Sequence, residues 1–287
     1  VVKRVAGVSV SFNPDNVNGR DKAQFIAIRG LDGSYNNVTI NGLLPGPFET
    51  DRLTGTAKAE ADKRGWTPRD QTRGRIGGVE HHCDSSEAYY VHTPGLKVAA
   101  PATVGDAYTL LRRAIDDPDP VVLLEPKRLY FASAEADLTV GAPMGRAVVR
   151  REGRDATLVA YGPSVDVALD AAAAAAEDGI SLEVVDLRTL VPFDDEAVAA
   201  SVRRTGRCVV VQEAQGFAGV GAEIAARVQE RCFHHLHAPV LRVSGLDIPY
   251  PPPKLERLHL PGVDRILDAV DRLQWDDRVD ARWAVAP

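Results

Sequence analysis

DATLVAYGPSVDVALDAAAAAAEDGISLEVVDL, residues 155–187, is the stretch from which the fold is read. Its first eight residues form a short run dominated by Ala, Leu and Val, of strand length. Residues 165–179 then carry six consecutive alanines, 171–176, whose helix propensity is high, and Gly179 stops the run. SLEVVDL, 181–187, is apolar again. Strand, helix and strand, with strands apolar on both faces, describe a unit of a parallel sheet covered on both sides.

Downstream the pattern recurs. FDDEAVAASVRRTG (193–206) reads as a helix with Asp194 as its N-cap, followed by the strand RCVVVQEA (207–214). GVGAEIAARVQERCF (219–233) is a helix, PVLRVSG (239–245) a strand, and VDRILDAVDRLQ (263–274) a closing helix. Residues 151–274 are therefore expected to form one doubly wound α/β domain, with 275–287 as a tail. Upstream, GLKVAAPAT (95–103), VGDAYTLLRRAIDD (104–117, with Thr103 capping) and PDPVVLLEP (118–126) give another strand, helix and strand. Residues 73–150 read as a partial α/β domain.

The chemistry-bearing stretch is GGVEHHCDSSEAYYVHTP, residues 77–94. Two glycines lead in and Pro94-Gly95 closes it as a turn. No helical spacing appears before Ser86, so His81 and His82 belong on a loop that then enters a short helix. Ser85 or Ser86 is the expected N-cap, with Glu87 in the first turn. Asp84 and Glu87 either hold the loop or cap the helix, and capping is the expectation. Loops on a rigid scaffold commonly carry function, and imidazole titrates near neutral pH. The competing reading is a satisfied histidine pair in a structural loop. A zinc site at His81-His82-Cys83 lacks partners at ligand spacing. His234, His235 and His237 read as a surface cluster without a carboxylate partner.

Composition sets outer bounds. Apolar residues at 45% and charged residues at 26% are ordinary for a globular protein, and the length admits about two domains. A net charge of -6 argues against a sequence-independent nucleic-acid binder. No apolar run approaches the ~20 residues of a membrane span. The three cysteines, Cys83, Cys208 and Cys232, are odd in number and widely spaced, which fits a reducing compartment rather than a disulfide framework. The start, Val-Val-Lys-Arg, shows no apolar signal region. A cytoplasmic location is the expectation.

Residues 1–45 alternate apolar and polar between Asn, Asp and Gly clusters, the pattern of a meander of short strands. Leu31-Asp32-Gly33 with Asn36-Asn37 superficially matches a magnesium–diphosphate signature. The first glycine is missing and the separation is too short, so a hairpin turn is the better reading. Arg29-Gly30-Leu31 and Val38-Thr39-Ile40-Asn41-Gly42 resemble the plug domain of TonB-dependent outer-membrane receptors. Residues 46–72 are polar and read as a linker or junction.

From about Arg75 to Gln274 the chain resembles the beta subunit of the thiamine-diphosphate-dependent 2-oxo acid dehydrogenase component, a transketolase-like protein. The resemblance is carried by IGGVEHHCDSSEAYYVHTPGLKV, DPDPVVLLEPKRLY, VVDLRTLVPFD, VVVQEAQGFAGVGAEIAARV and GLDIPYPPP…LPGVDRI, in that order. EPKRLY leans toward the branched-chain (2-oxoisovalerate) type over the pyruvate type. The resemblance implies a pyrimidine-binding-type domain before a transketolase C-terminal-like domain. It implies thiamine diphosphate with magnesium shared with an alpha subunit in an alpha2-beta2 tetramer, and acyl transfer to a lipoyl-bearing acyltransferase. It places His82 at the family's catalytic histidine, with His81 as its orienting neighbour. Where relatives bind a structural potassium ion, the matching positions here are the Ala114 carbonyl, Asp117 and Asp119. The glutamate that activates the aminopyrimidine ring has no equivalent in residues 1–72, so no cofactor-binding residue is assigned. Three readings stand: an enzyme subunit of the branched-chain type (alternatively the pyruvate type) whose N-terminal half is disrupted, most simply because the chain is a chimera; a non-catalytic module for assembly and partner binding; or a receptor-plug protein of the envelope, against which the absence of a signal and of barrel strands after residue 45 counts.

Overall fold

In the computed structural model the described residues are 83–129, 132–135, 142–252 and 255–273, together with the backbone of three strands at 8–11, 25–28 and 39–41. The second half is an open sheet of β6 (Val148–Arg151), β7 (Ala156–Ala160), β8 (Leu182–Asp186), β10 (Cys208–Gln215) and β11 (Leu241–Gly245). Its spatial order is β11-β10-β7-β8-β6. All neighbours run parallel except β6, which pairs antiparallel with β8 at the edge. The fold class is α/β with a doubly wound sheet, as the apolar runs predict.

Side chains alternate between two cores along each strand. Leu158, Ala160, Val184, Val209 and Val211 face one side, where α3 (Ser164–Glu177) and α7 (Val263–Leu273) pack. Val159, Val185, Cys208 and Val210 face the other, covered by α4 (Asp195–Thr205) and α5 (Val220–Cys232). Burying one such valine or leucine contributes about 1.5–3 kcal/mol. The alanine run earns its place in the first core: Ala168, Ala171, Ala172 and Ala175 are buried, and methyl-sized side chains let α3 lie close to both the sheet and α7.

The ends of the helices follow local rules. Asp194 accepts from the backbone N–H of Ala197 at 3.2 Å, and Gly206 terminates α4 with φ of 70°. Gly179, with φ of 78°, follows α3. In the first half, Thr103 caps α2 (Val104–Asp116) by accepting from Asp106 N–H at 3.1 Å. That half holds α1 (Glu87–Val91) and a four-stranded sheet in the order β3-β5-β4-β9. β4 (Lys97–Ala99) and β5 (Val121–Leu124) are parallel, as their βαβ reading requires.

Two strands cross the boundaries drawn from the sequence. β3 (Thr39–Asn41), from the stretch with plug-like wording, runs parallel to β5. It therefore adds backbone to the first-half sheet, whereas β1 (Val8–Ser11) and β2 (Phe25–Ile28) pair antiparallel with each other. β9 (Thr189–Val191), downstream of β8, returns to the first half and pairs antiparallel with β4. A three-residue strand carries no periodic signal, which is why it was not anticipated.

Candidate active site at the seam of the two halves

In an open α/β sheet the crevice for a ligand opens at the carboxyl ends of the strands, where the winding reverses. Here the chain runs from β7 to β8 on one side and then returns to lay β10 on the other side of β7. The register pairs Val211 with Ala160, so the next residues, Gln212 and Tyr161, emerge side by side at this switch point. The helix of the histidine stretch meets them there.

That helix, α1, starts at Glu87 and is reached from Cys83 through Asp84, Ser85 and Ser86. Ser86 takes the N-cap position, but its side chain makes no capping bond. Glu87 also departs from the expected role of cap, because its carboxyl turns inward. Oε1 accepts the Tyr161 hydroxyl at 2.8 Å, a bond across 74 residues of sequence. The same hydroxyl lies 3.4 Å from Gln212 Oε1. Gln212 itself is fixed: it accepts from Gly221 N–H at 2.6 Å and donates to the Gln215 carbonyl at 2.7 Å. α1 ends where Thr93 donates its hydroxyl to the Tyr89 carbonyl and Gly95 turns with φ of 88°. Tyr90 and Val91 then lean on the second-half core.

Around this pair lie further buried and half-buried groups. Glu213 pairs with Arg128, 2.5 Å apart, which ties the 3-10 turn Lys127–Leu129 of the first half to β10. Tyr250 contacts the ring of His259 edge-on, with centroids 5.3 Å apart. Burial pushes the Glu87 and Glu213 carboxyls up from the ordinary carboxylate pKa, making them weaker acids, although Arg128 opposes this at Glu213. Tyr161 is pushed up by burial and then by the Glu87 carboxylate. Tyr250 is pushed up by burial, followed by Glu256, Cys83 and Glu213. Burial, and then Arg265, lowers His259. The arrangement is a cluster of buried and half-buried titratable groups, and such perturbed groups gather at functional sites.

A second charged network joins the halves elsewhere. Arg188, with no exposed surface and φ of 58°, donates through Nε to Asp106 Oδ1 at 2.6 Å. Its terminal nitrogens donate to the carbonyls of Arg146 at 3.0 Å, Ala142 at 3.1 Å and Pro143 at 3.3 Å. Arg150 bridges Asp106 and Asp186, with Nη2 2.7 Å from Asp186. Burial works to raise Asp106, but Arg188 and Arg150 outweigh it and hold the carboxyl below its usual range. At Asp186 burial prevails over Arg150 and pushes the group up to about 6.

His81 and His82 lie outside the described residues. Asp117 and Asp119 are brought together at the end of α2, and Lys97 Nζ sits 2.7 Å from one and 2.9 Å from the other. The single ammonium offsets one of the two carboxylate charges there. His234, His235 and His237 are exposed near the end of α5. Among the described residues no group of three or more His, Cys, Asp or Glu side chains could hold a metal, and no helix is long and apolar enough to cross a membrane. Sequence reasoning missed Tyr161, Gln212, Glu213 and Tyr250. Their one local signal is position, since the first three follow the apolar runs of β7 and β10 at the strand ends.

Residues 145–266 match the family described as transketolase, C-terminal domain, and residues 69–132 match transketolase, pyrimidine binding domain. The chain is 54% identical over 209 residues to 3-methyl-2-oxobutanoate dehydrogenase subunit beta of Mycobacterium tuberculosis, covering 72% of this chain. It spans 60% of that relative's length. It is 38% identical over 266 residues to the pyruvate dehydrogenase E1 component subunit beta of Acholeplasma laidlawii, covering 86% of this chain and 81% of the relative. A match of that extent reaches upstream of residue 73. A solved structure described as a split gene transketolase, inactive beta4 tetramer, superposes with a TM-score of 0.58 at 26% identity. That superposition covers 67% of this chain and 62% of the other. The chain belongs to the transketolase-like family of 2-oxo acid dehydrogenase E1 beta subunits.

Proposed function

We propose that this chain is the beta-subunit part of a branched-chain 2-oxo acid dehydrogenase, decarboxylating 3-methyl-2-oxobutanoate-type acids and transferring the acyl group to a lipoyl arm. The observation that carries this reading is the seating of α1, entered directly from His81-His82, on the carboxyl ends of β7 and β10. The mycobacterial relative, whose name specifies a branched-chain acid, supports the substrate class. His82 is the proton donor as the lipoyl ring opens, and His81 orients it. An imidazole near ~6.5 is suited to that transfer at neutral pH.

The described residues do not by themselves fit thiamine diphosphate with magnesium. Glu87 is engaged by Tyr161 and Glu213 by Arg128, and no metal-holding group is present among them. On this reading the cofactor's diphosphate and metal are held by the alpha subunit of an alpha2-beta2 assembly, in the cytoplasm. The chain's own part is to present the histidine stretch, to shield it from water, and to dock the lipoyl-bearing acyltransferase.

Co-expression with the cognate alpha chain tests this. With thiamine diphosphate and magnesium, release of labelled carbon dioxide from 3-methyl-2-oxobutanoate should exceed that from pyruvate. His82→Ala should abolish acylation of a lipoyl domain while decarboxylation with an artificial electron acceptor persists. Preference for pyruvate would move the assignment to the pyruvate type. An assembled tetramer that turns over neither acid would leave the non-catalytic assembly module, a reading favoured by the inactive beta4 tetramer among similar structures.

A further inference from the structure

Three oxygens stand in a row where α1 meets the strand ends: the Tyr161 hydroxyl lies 2.8 Å from Glu87 Oε1 and 3.4 Å from Gln212 Oε1. The Gln212 amide cannot turn over. Its oxygen accepts from Gly221 N–H at 2.6 Å, while its nitrogen donates to the Gln215 carbonyl at 2.7 Å and the Ala214 carbonyl at 3.3 Å. It therefore offers Tyr161 an acceptor and no donor. A phenol has one hydrogen to give. With Glu87 ionised, that hydrogen serves either the carboxylate or the amide, and the other contact brings two acceptors together. With Glu87 protonated, the acid donates to the phenol oxygen, the phenol donates to Gln212, and both contacts are hydrogen bonds. Glu87 and Tyr161 are both buried, which also favours the neutral acid. The surrounding charges lean the same way. Glu213 follows Gln212 in β10 and acts on both Glu87 and Tyr161, and its guanidinium partner is Arg128, so two carboxyls share one cation. Beyond it, Tyr250 feels Glu256, Cys83 and Glu213. α5 and β4 also pack on α1. Of their charges, Lys97 is paired with Asp117 and Asp119, and Arg227 and Arg231 with Glu223, Asp195 and Glu196. Glu230, and Asp84 on the loop into α1, are exposed. Burial is the largest influence on the Glu87 carboxyl and pushes it up; its own backbone N–H and Tyr161 oppose this, and Glu213 adds to the rise.

We propose that Glu87 stands in the folded chain as a neutral carboxylic acid, whose proton fastens α1 to Tyr161 and Gln212, and that loss of this proton unseats the helix. α1 is the element that gives way. It has five residues and no side-chain cap, too little helix to stand alone. Tyr161, by contrast, follows the fully buried β7, and Gln212 is bonded at both ends of its amide. Swinging α1 outward takes the ionised carboxyl into water and away from Glu213. The sign follows from the raised carboxyl: seating is complete at low pH and is lost as pH rises through the folded-state value. The latch needs a neutral donor at position 87. A carboxamide, whose NH2 group donates to the phenol oxygen, therefore seats α1 at every pH.

The test uses the full chain. In the infrared, with glutamate isotopically labelled, the parent should show a protonated-acid carbonyl component at neutral pH that Glu87→Gln removes. Hydrogen exchange reads the seating through the amides of Tyr89, His92 and Thr93, which donate within α1 and its closing turn. In the parent their protection should fall by roughly tenfold per pH unit once Glu87 ionises, the signature of one released proton. In Glu87→Gln it should not fall, and the Ala107 amide of α2 should hold in both. Asp186→Asn, which alters the other titrating contact, should leave the α1 profile as in the parent. Tyr161→Phe, which keeps the ring and removes the middle oxygen, should lower α1 protection about tenfold at every pH and move the acid component. If Glu87→Gln does not fold, the infrared component in Tyr161→Phe decides. Three results overturn the proposal: no acid component that depends on Glu87, a component unmoved in Tyr161→Phe, or the same loss of protection in Glu87→Gln as in the parent. Neither readout requires turnover, so failure of the functional reading would leave the outcome unaffected.

Discussion

At one contact between the halves of the molecule, Arg188 spends every guanidinium nitrogen on Asp106 and three carbonyls, and Arg150 completes the network through Asp186. At the other, Glu87 meets Tyr161 through one hydroxyl, and Glu213 meets Arg128. Both are buried and both bridge the same halves. The first leaves almost no polar group short of a partner, so it has one stable arrangement. At the second, Glu87 and Glu213 are raised by burial and held by one side chain each, Tyr161 and Arg128, whereas Asp186 of the first, also raised, is bonded by both the Arg150 guanidinium and the Arg188 N–H. Saturated networks lock a fold, and sparsely paired ones beside a crevice are where chemistry is done.

The contrast breaks most visibly at Arg188. Arg188→Ala leaves Asp106 short of its main counter-charge and three carbonyls without donors, and should cost about 3–5 kcal/mol. Chemical denaturation of the full chain measures it, and a loss no larger than that of an exposed arginine would show that the network is not a lock. The next effect is a pH slope. Asp186 titrates at about 6 in the folded chain, above its unfolded value. The native state therefore keeps a proton that the unfolded chain has released, and the stabilisation present at low pH is lost as pH rises through about 6. Asp186→Asn should flatten that slope by roughly 3 kcal/mol between pH 4 and 7, seen as a smaller change in Tm. An unaltered slope would assign the titration to another group.

At the sparser contact the expected effect is smaller. Tyr161→Phe should cost about 1–2 kcal/mol, because one buried hydrogen bond is lost and Glu87 keeps its own backbone N–H. A cost equal to that of Arg188→Ala would erase the distinction between the contacts. Thr103→Ala, which removes the cap of α2 and one donor to Asp106, should cost about 1 kcal/mol. Hydrogen exchange in the first turn of α2 locates it.

The sequence announced what depends on neighbours in the chain. Continuous runs of Val, Leu and Ala placed β7, β8, β10 and their helices, and Thr103, Asp194 and Gly179 marked helix ends because capping is decided within four residues. It was silent where the partner is remote. Arg188 looks like a surface charge in VVDLRTL, and its burial follows only from Asp106, far upstream, and from carbonyls at 142–146. Glu87 looked like a cap because its alternative partner stands 74 residues away. Asp117 and Asp119 follow α2, and their ion-pair partner Lys97 comes from β4. The seam could be located only by knowing that β10 returns to the far side of β7.

β9 changes what a domain boundary means here. Thr189–Val191 is encoded between β8 and α4 of the second half, yet it completes the edge of the first-half sheet beside β4. A gene cut near residue 150 would not yield two self-contained pieces. The downstream piece would carry an orphan edge strand, with Leu190 stripped of its cover, and the upstream sheet would lose its outermost ladder. The second half holds part of the first half's boundary, which makes the two inseparable by a single cut between them.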